Sequence, residues 1–159
     1  MKMKNPPLKL ALCFLPLSLS FLLAAGLLLH GEPPAEGYRR EIRITPLLRT
    51  STTAFGQPIS YPQIAQPEVT SVLVEIPPGA ETGWHRHPVP CYAYILSGSL
   101  SVEIEDGTTH VLSAGQALAE TVNTLHNGKN LGTEPVKLVM FATGEKGSPF
   151  TVRAEKPKP

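Results

Sequence analysis

Residues 79–87 read GAETGWHRH, and the interpretation of the whole chain starts from them. His85 and His87 are separated by one residue, and positions i and i+2 of a strand project to the same face. Both imidazoles can therefore reach one metal ion, since neutral imidazole is a good ligand for zinc, iron, copper and nickel. The pair alone is weak evidence for a metal site, because two surface histidines give the same pattern.

The segments around this stretch are short and have the alternating pattern of β-strands. Ser99 to Glu105 is the clearest, with Leu100, Val102 and Ile104 on one face, and the Asp106-Gly107 pair that follows is typical of a tight hairpin turn. Further strands are predicted at residues 69–76, 91–97, 108–112, 117–120 and 136–142. Strands of this length and spacing predict an all-β sandwich or barrel of the jelly-roll type. Residues 42–66 are predicted to form an N-terminal arm with one edge strand, which could mediate a homodimer.

Length and composition favour a single folded domain. The chain has 159 residues, of which 42% are hydrophobic and 17% charged, as in a globular protein. A formal net charge of +1 gives no basic footprint for nucleic acid. Cys91 is the only cysteine after residue 30, so no disulfide within the domain is expected.

The N-terminus has the pattern of an export signal. Lys2, Lys4 and Lys9 precede an uncharged apolar run at residues 10–29. Residues 1–30 are therefore interpreted either as a cleaved signal peptide or as a membrane anchor through residues 10–29, which is long enough to span a bilayer. The protein is expected in the periplasm or anchored in the inner membrane facing it, with secretion as an alternative. Residues 31–41 are predicted to be a linker, 42–152 a β-barrel domain and 153–159 a disordered tail.

Two spaced motifs resemble those of the cupin superfamily, in particular its small quercetin-dioxygenase-like members. The first motif, at residues 79–98, has its glycines and histidines at Gly79, His85, His87 and Gly98, with Cys91 where a glutamate is expected. The second motif, at residues 115–130, is matched by Gly115, His126 and Asn130, whereas Thr121 and Asn123 replace its proline and glycine. Asparagine tolerates left-handed backbone better than other ordinary residues, so the turn at position 123 can survive the exchange.

The resemblance implies a cupin β-barrel that holds one divalent metal ion on its inner face. It assigns the ligand role to His85, His87 and His126, and leaves iron, manganese, nickel, copper and zinc open. Cys91 is an additional candidate ligand, since a metal can deprotonate a nearby thiol. A three-histidine site with Cys91 beside it is preferred to a site with thiolate ligation.

Other residues near the motifs are candidates for a functional role, but each of them also has an ordinary structural explanation. Trp84 and Tyr94 are candidates for the wall of a substrate cavity, or else pack in the core or at the rim. Glu120 could orient a ligand histidine or act as a general base, or else lie at a solvated strand end. His110 fits neither motif and is expected at the surface.

The predicted function is that of an exported metal-dependent enzyme acting on a small molecule, a dioxygenase-like oxidoreductase. A cavity closed to water and open coordination positions on a metal are what such chemistry requires. The alternative is a non-catalytic periplasmic protein that binds a metal or a small molecule.

Overall fold

The structure is a computed structural model that describes residues 42–155. The described part is all-β, with two antiparallel sheets, as the predicted cupin jelly roll requires. The predicted leader at residues 1–30 and the linker at 31–41 lie outside the described residues. Within residues 42–155, no helix has the length and apolar character needed to cross a membrane.

Nine strands follow one another along the described residues. They are β1 (Pro67–Ile76), β2 (His85–Arg86), β3 (Cys91–Ser97), β4 (Ser99–Ile104), β5 (Thr109–Ser113), β6 (Ala117–Ala119), β7 (His126–Lys129), β8 (Val136–Glu145) and β9 (Val152–Arg153). One sheet has the strand order β1-β8-β3-β6, and the other has the order β5-β4-β7-β2-β9.

The core lies between the facing surfaces of the two sheets. In the first sheet, Ala93 of β3 is directly opposite Met140 of β8, and Ile95 is opposite Leu138. Ile95 is fully buried, and burying a side chain of this size stabilises the fold by about 1.5–3 kcal/mol. The second sheet contributes Leu100, Val102 and Ile104 of β4. These are the residues whose alternation predicted that strand.

The predicted hairpin between β4 and β5 is confirmed. Gly107 has a positive φ of 86°, which glycine adopts without steric cost. Asp106 supports the turn, because its Oδ1 accepts a hydrogen bond of 2.8 Å from the backbone N–H of Thr108.

The prediction of an edge strand in residues 42–66 is wrong. The structure has no strand in this range, only an isolated bridge between Thr52 and Pro58. The side-chain amide of Gln57 pairs instead with the backbone of Val122, accepting a hydrogen bond of 2.8 Å from its N–H and donating one of 3.0 Å to its carbonyl. The arm is therefore held by this side chain and by a backbone hydrogen bond of 2.9 Å from the N–H of Ala54 to the carbonyl of Ala119. The alternating Ile42 and Ile44 stay exposed.

The C-terminal boundary of the domain also needs correction. Arg153 was assigned to a disordered tail, but it belongs to β9 and pairs with β2. A two-residue strand is too short to show a periodic pattern, and the lysines and prolines that follow it resemble a tail.

The turn at Asn123 gives a test of the fold. Asn123 has a φ of 59°, and no other non-glycine residue in the described part of the chain has a positive φ. Its N–H donates a hydrogen bond of 2.8 Å to the carbonyl of His87. We expect Asn123→Ala to lower the free energy of unfolding by about 1 kcal/mol more than Asn123→Gly, because only glycine adopts left-handed backbone freely. Urea denaturation of both variants measures the difference, and equal losses would contradict it.

Candidate functional site

Strand register brings three histidines together on one face of the second sheet. His85 of β2 is directly opposite His126 of β7, and paired residues of an antiparallel ladder project to the same side. His87 follows two residues after His85 and has the same orientation. The ring centroids are 4.3 Å apart for His85 and His126, 5.1 Å for His85 and His87, and 5.0 Å for His87 and His126.

Backbone carbonyls fix the orientation of all three rings. The Nδ1 atom lies 2.8 Å from the carbonyl of Gly83 in His85, 2.8 Å from that of Phe150 in His87, and 3.0 Å from that of Thr124 in His126. A carbonyl oxygen only accepts hydrogen bonds, so each Nδ1 carries the hydrogen. The Nε2 atom of each neutral ring is then left with its lone pair, which is the arrangement found in metal-ligating histidines.

The geometry of the three rings fits a divalent metal ion. One potential ligand atom from each of His85, His87 and His126 lies within 4.8 Å of the others. The Nε2 of His126 is buried and has no hydrogen-bond partner. A buried nitrogen without a partner costs free energy unless something binds it. The residues present therefore suit the ion that the motifs imply.

Glu120 faces the same cluster from the other sheet. It follows β6 and lies two residues after the buried Leu118, so its side chain points inward as that of Leu118 does. Its Oε2 lies 3.0 Å from Nε2 of His87 and 3.6 Å from Nε2 of His126. Only 17% of the surface of the Glu120 side chain is exposed to solvent. A solvated strand end, the ordinary explanation for this residue, is therefore wrong.

Burial and charge shift the pKa values within the cluster. Burial lowers the pKa of His85 to about 4, and repulsion by His126 and His87 adds to this shift. Burial also acts to lower the pKa of His87, but its interactions with Cys91 and Glu120 outweigh burial and raise that pKa to about 10. Burial acts to raise the pKa of Glu120, but its electrostatic interactions with His126 and His87 outweigh burial and lower that pKa to about 2. Without a metal, the cluster holds a Glu120–His87 ion pair beside a neutral His85.

Cys91 lies beside the cluster and outside its ligand group. It is a free cysteine on the inner face of β3 with 1% of its surface exposed. Its Sγ lies 3.5 Å from the carbonyl oxygen of Val89, to which the thiol donates. The group of mutually close ligand atoms consists of the three histidines and includes neither Cys91 nor Glu120.

The remaining motif residues hold the two motifs together. Asn130 is buried, and its side-chain amide donates hydrogen bonds to the carbonyls of Ile76 (2.9 Å) and Glu134 (2.8 Å). The backbone N–H of Gly79 donates to the carbonyl of Asn130, and that of Asn130 donates to the carbonyl of Ala80, both at 3.0 Å. The start of the first motif is thus bonded to the end of the second, which places His85 and His126 on neighbouring strands.

The histidines open onto a cavity of about 370 Å³ between the sheets. Ligand sites of small molecules begin at about this size. Most of its wall is apolar and comes from both sheets, namely Val72, Val74, Ile76, Leu100, Val102, Leu138, Met140 and Phe150. The polar groups on the wall are the three histidines, Glu120, Thr82, Thr151 and Arg153. The arrangement suits an ion that is open to a ligand on its apolar side.

Trp84 and Tyr94 do not line this cavity, contrary to the sequence interpretation. Tyr94 lies between Ala93 and Ile95, which face the core, so its side chain projects from the outer face of β3. Trp84 is adjacent to His85, and neighbouring residues of an extended chain project to opposite sides. The sequence interpretation missed Phe150 and Arg153 because both lie beyond the two motifs, near a strand without a detectable pattern.

The two antiparallel sheets and the three converging histidines place this chain among the all-β proteins that have a candidate metal site between their sheets. Residues 72–142 match the family model described as a cupin domain. The chain therefore contains a small cupin domain, which confirms the resemblance seen in its motifs. A search of curated protein sequences gives no match.

Solved structures resemble this chain at low sequence identity. A chain from the crystal structures of two DMSP lyases is 20% identical, with a TM-score of 0.48, covering 55% of this chain and 44% of that one. A conserved protein with a double-stranded β-helix domain from Klebsiella pneumoniae is 23% identical, with a TM-score of 0.48, covering 60% and 90%. An oxalate decarboxylase from Lactobacillus farciminis is 22% identical, with a TM-score of 0.47, covering 56% and 27%.

This chain spans less than half of the DMSP lyase chain and about a quarter of the oxalate decarboxylase chain. The function is therefore inferred from the residues of the site.

Proposed function

We propose that the cupin domain is a metal-dependent enzyme that acts on a small organic molecule inside the cavity, as a dioxygenase-like oxidoreductase. The observation that carries this proposal is the convergence of three histidine rings whose Nδ1 atoms are all bonded to backbone carbonyls. Such bonds raise the basicity of the free Nε2 and fix its direction. The apolar wall beside the cluster supports a reaction from which water is excluded.

His85, His87 and His126 would hold the metal, and Glu120 would supply the carboxylate ligand that the first motif lacks. Its Oε2 is 3.0 Å from Nε2 of His87 and 3.6 Å from Nε2 of His126, and its low pKa keeps it ionised. Cys91 would stay beside the site as a buried thiol. Imidazole and carboxylate together suit first-row ions such as iron and manganese.

When bound, a redox-active ion of this kind supplies Lewis acidity and one-electron chemistry next to the apolar wall. The residues of the chain orient the ligands, release a proton and exclude water. The carbonyls of Gly83, Phe150 and Thr124 keep the rings oriented, and His87 must release its Nε2 proton before that nitrogen can act as a ligand. The apolar residues of β1, β4 and β8 exclude bulk water from the substrate. The oxidant is dioxygen, and both of its atoms enter the substrate.

Oxygen consumption tests this proposal. The purified protein, loaded in turn with Fe(II), Mn(II), Ni(II) and Cu(II), is offered quercetin, catechol and 3-mercaptopropionate in an oxygen electrode. We expect uptake with at least one pair, at a rate about tenfold or more above that of the His126→Ala variant, which lacks a ligand. Stoichiometric metal binding without oxygen consumption in any pair would reject the dioxygenase and support the non-catalytic metal-binding alternative.

A further inference from the structure

The cavity has one charged group that none of the metal chemistry uses. Arg153 of β9 is directly opposite His85 of β2. Paired residues of an antiparallel ladder project to the same face, so Arg153 points to the side on which His85 faces the cluster. Thr151, two residues earlier, also lines the cavity, as the alternation along β9 requires. Arg153 is thus placed on the cavity wall next to a candidate metal ligand.

The guanidinium of Arg153 has no partner of its own. Within residues 42–155, no carboxylate forms an ion pair with it, and no acceptor binds its side chain. Glu120, the only acidic residue that the described part of the chain places on the cavity wall, already contacts His87 and His126. Arg153 is exposed at the rim of the cavity, so water can solvate it in the absence of a ligand.

The charges around the cavity favour an anion. Three neutral imidazoles, one carboxylate, one guanidinium and a divalent ion would leave a net charge of about +2 next to the apolar wall. Arginine presents donors in a planar fork that matches a carboxylate in a bidentate manner. The apolar residues of β1, β4 and β8 favour a ligand whose body is apolar.

We propose that Arg153 is the anion-recognising residue of this cavity, and that the substrate is a small organic carboxylate with an apolar body. The carboxylate pairs with the guanidinium, and the apolar body packs against the valine, leucine and methionine side chains. This inference deepens the proposed function by naming a substrate class. It also stands without the metal, because the guanidinium and the apolar wall belong to the chain.

Benzoate and benzamide test the inference, since they have the same shape and differ in charge. Their binding to the full chain is measured by isothermal titration calorimetry, with and without bound metal. We expect benzoate to bind about tenfold or more tightly than benzamide. Arg153→Gln should remove that preference and leave benzamide binding unchanged, while Arg153→Lys should keep part of it, because it keeps the charge and loses the fork.

Arg86→Gln is the matched control. Arg86 is the neighbour of His85 on β2 and projects to the opposite face, so this variant should bind benzoate as the parent does. Equal affinity of the parent for benzoate and benzamide would overturn the inference. An equal loss in Arg86→Gln and Arg153→Gln would also overturn it, since the effect would then be general surface charge. Metal content, determined on the same samples, shows separately whether the proposed metal site exists.

Discussion

Purified protein incubated with a first-row divalent metal is expected to retain about one equivalent, and His85→Ala and His126→Ala are expected to retain less than about a tenth of that. The reason is that each variant removes one of three nitrogens that lie within 4.8 Å of one another. Residues that only orient a metal ligand already contribute about 10–100-fold to affinity, and a ligand itself contributes at least as much. Elemental analysis after gel filtration measures the retained metal.

His110→Ala is the control for this experiment. His110 is exposed on β5 and stacks on Phe55 with ring centroids 4.4 Å apart, outside the cluster. This variant should retain as much metal as the parent, which separates loss of the site from the removal of any histidine. Equal losses in the His110 and His126 variants would mean that the metal is bound elsewhere.

The long strands could be predicted from the sequence because their side chains alternate between core and surface. β3 has the predicted bounds, Cys91–Ser97, and β4 ends one residue before the predicted limit. Both strands contribute apolar residues to the core at every second position. A strand with one buried face shows its register in the sequence.

The strands that carry the site could not be predicted in this way. β7 reads HNGK and has no apolar residue, and β2 and β9 have only two residues each. Their positions are set by pairing with one another and with β4. Functional sites are where local pattern and global fold disagree. The histidines were found only because their spacing matches the cupin motifs, and Arg153, which belongs to no motif, was missed.

Glu120 shows the limit of motif reasoning. The first motif places a glutamate at the position of Cys91, and spacing alone offers no other carboxylate. In the structure, a carboxylate reaches the cluster from a different strand, because Glu120 follows the inward-facing Leu118 of β6. Its N–H donates a hydrogen bond of 2.9 Å to the carbonyl of Cys91, so the two residues are neighbours across the sheet. This contact depends on pairing between β3 and β6, which the sequence does not specify.

The second large expected effect is a difference in metal affinity between substitutions of Glu120 and substitutions of Cys91. We expect Glu120→Ala to weaken metal binding about tenfold or more, because it removes the only carboxylate within residues 42–155 that contacts the histidine cluster. Glu120→Gln keeps the shape and loses the charge, so it should weaken binding nearly as much. Cys91→Ala should change the affinity by less than about twofold, since its thiol donates to the carbonyl of Val89, whereas Oε2 of Glu120 lies 3.0 Å from Nε2 of His87. Competition with a chromogenic chelator measures all three affinities on the same scale.

Co(II) spectra distinguish the two possible ligand sets independently of affinity. Thiolate ligation gives an intense near-ultraviolet charge-transfer band, which three imidazoles and a carboxylate do not produce. The parent should lack that band, and Cys91→Ala should leave the visible cobalt bands unchanged, whereas Glu120→Ala should alter them. A strong near-ultraviolet band that disappears in Cys91→Ala would make the thiol a ligand. Glu120 would then lie beside the cluster without a ligand role.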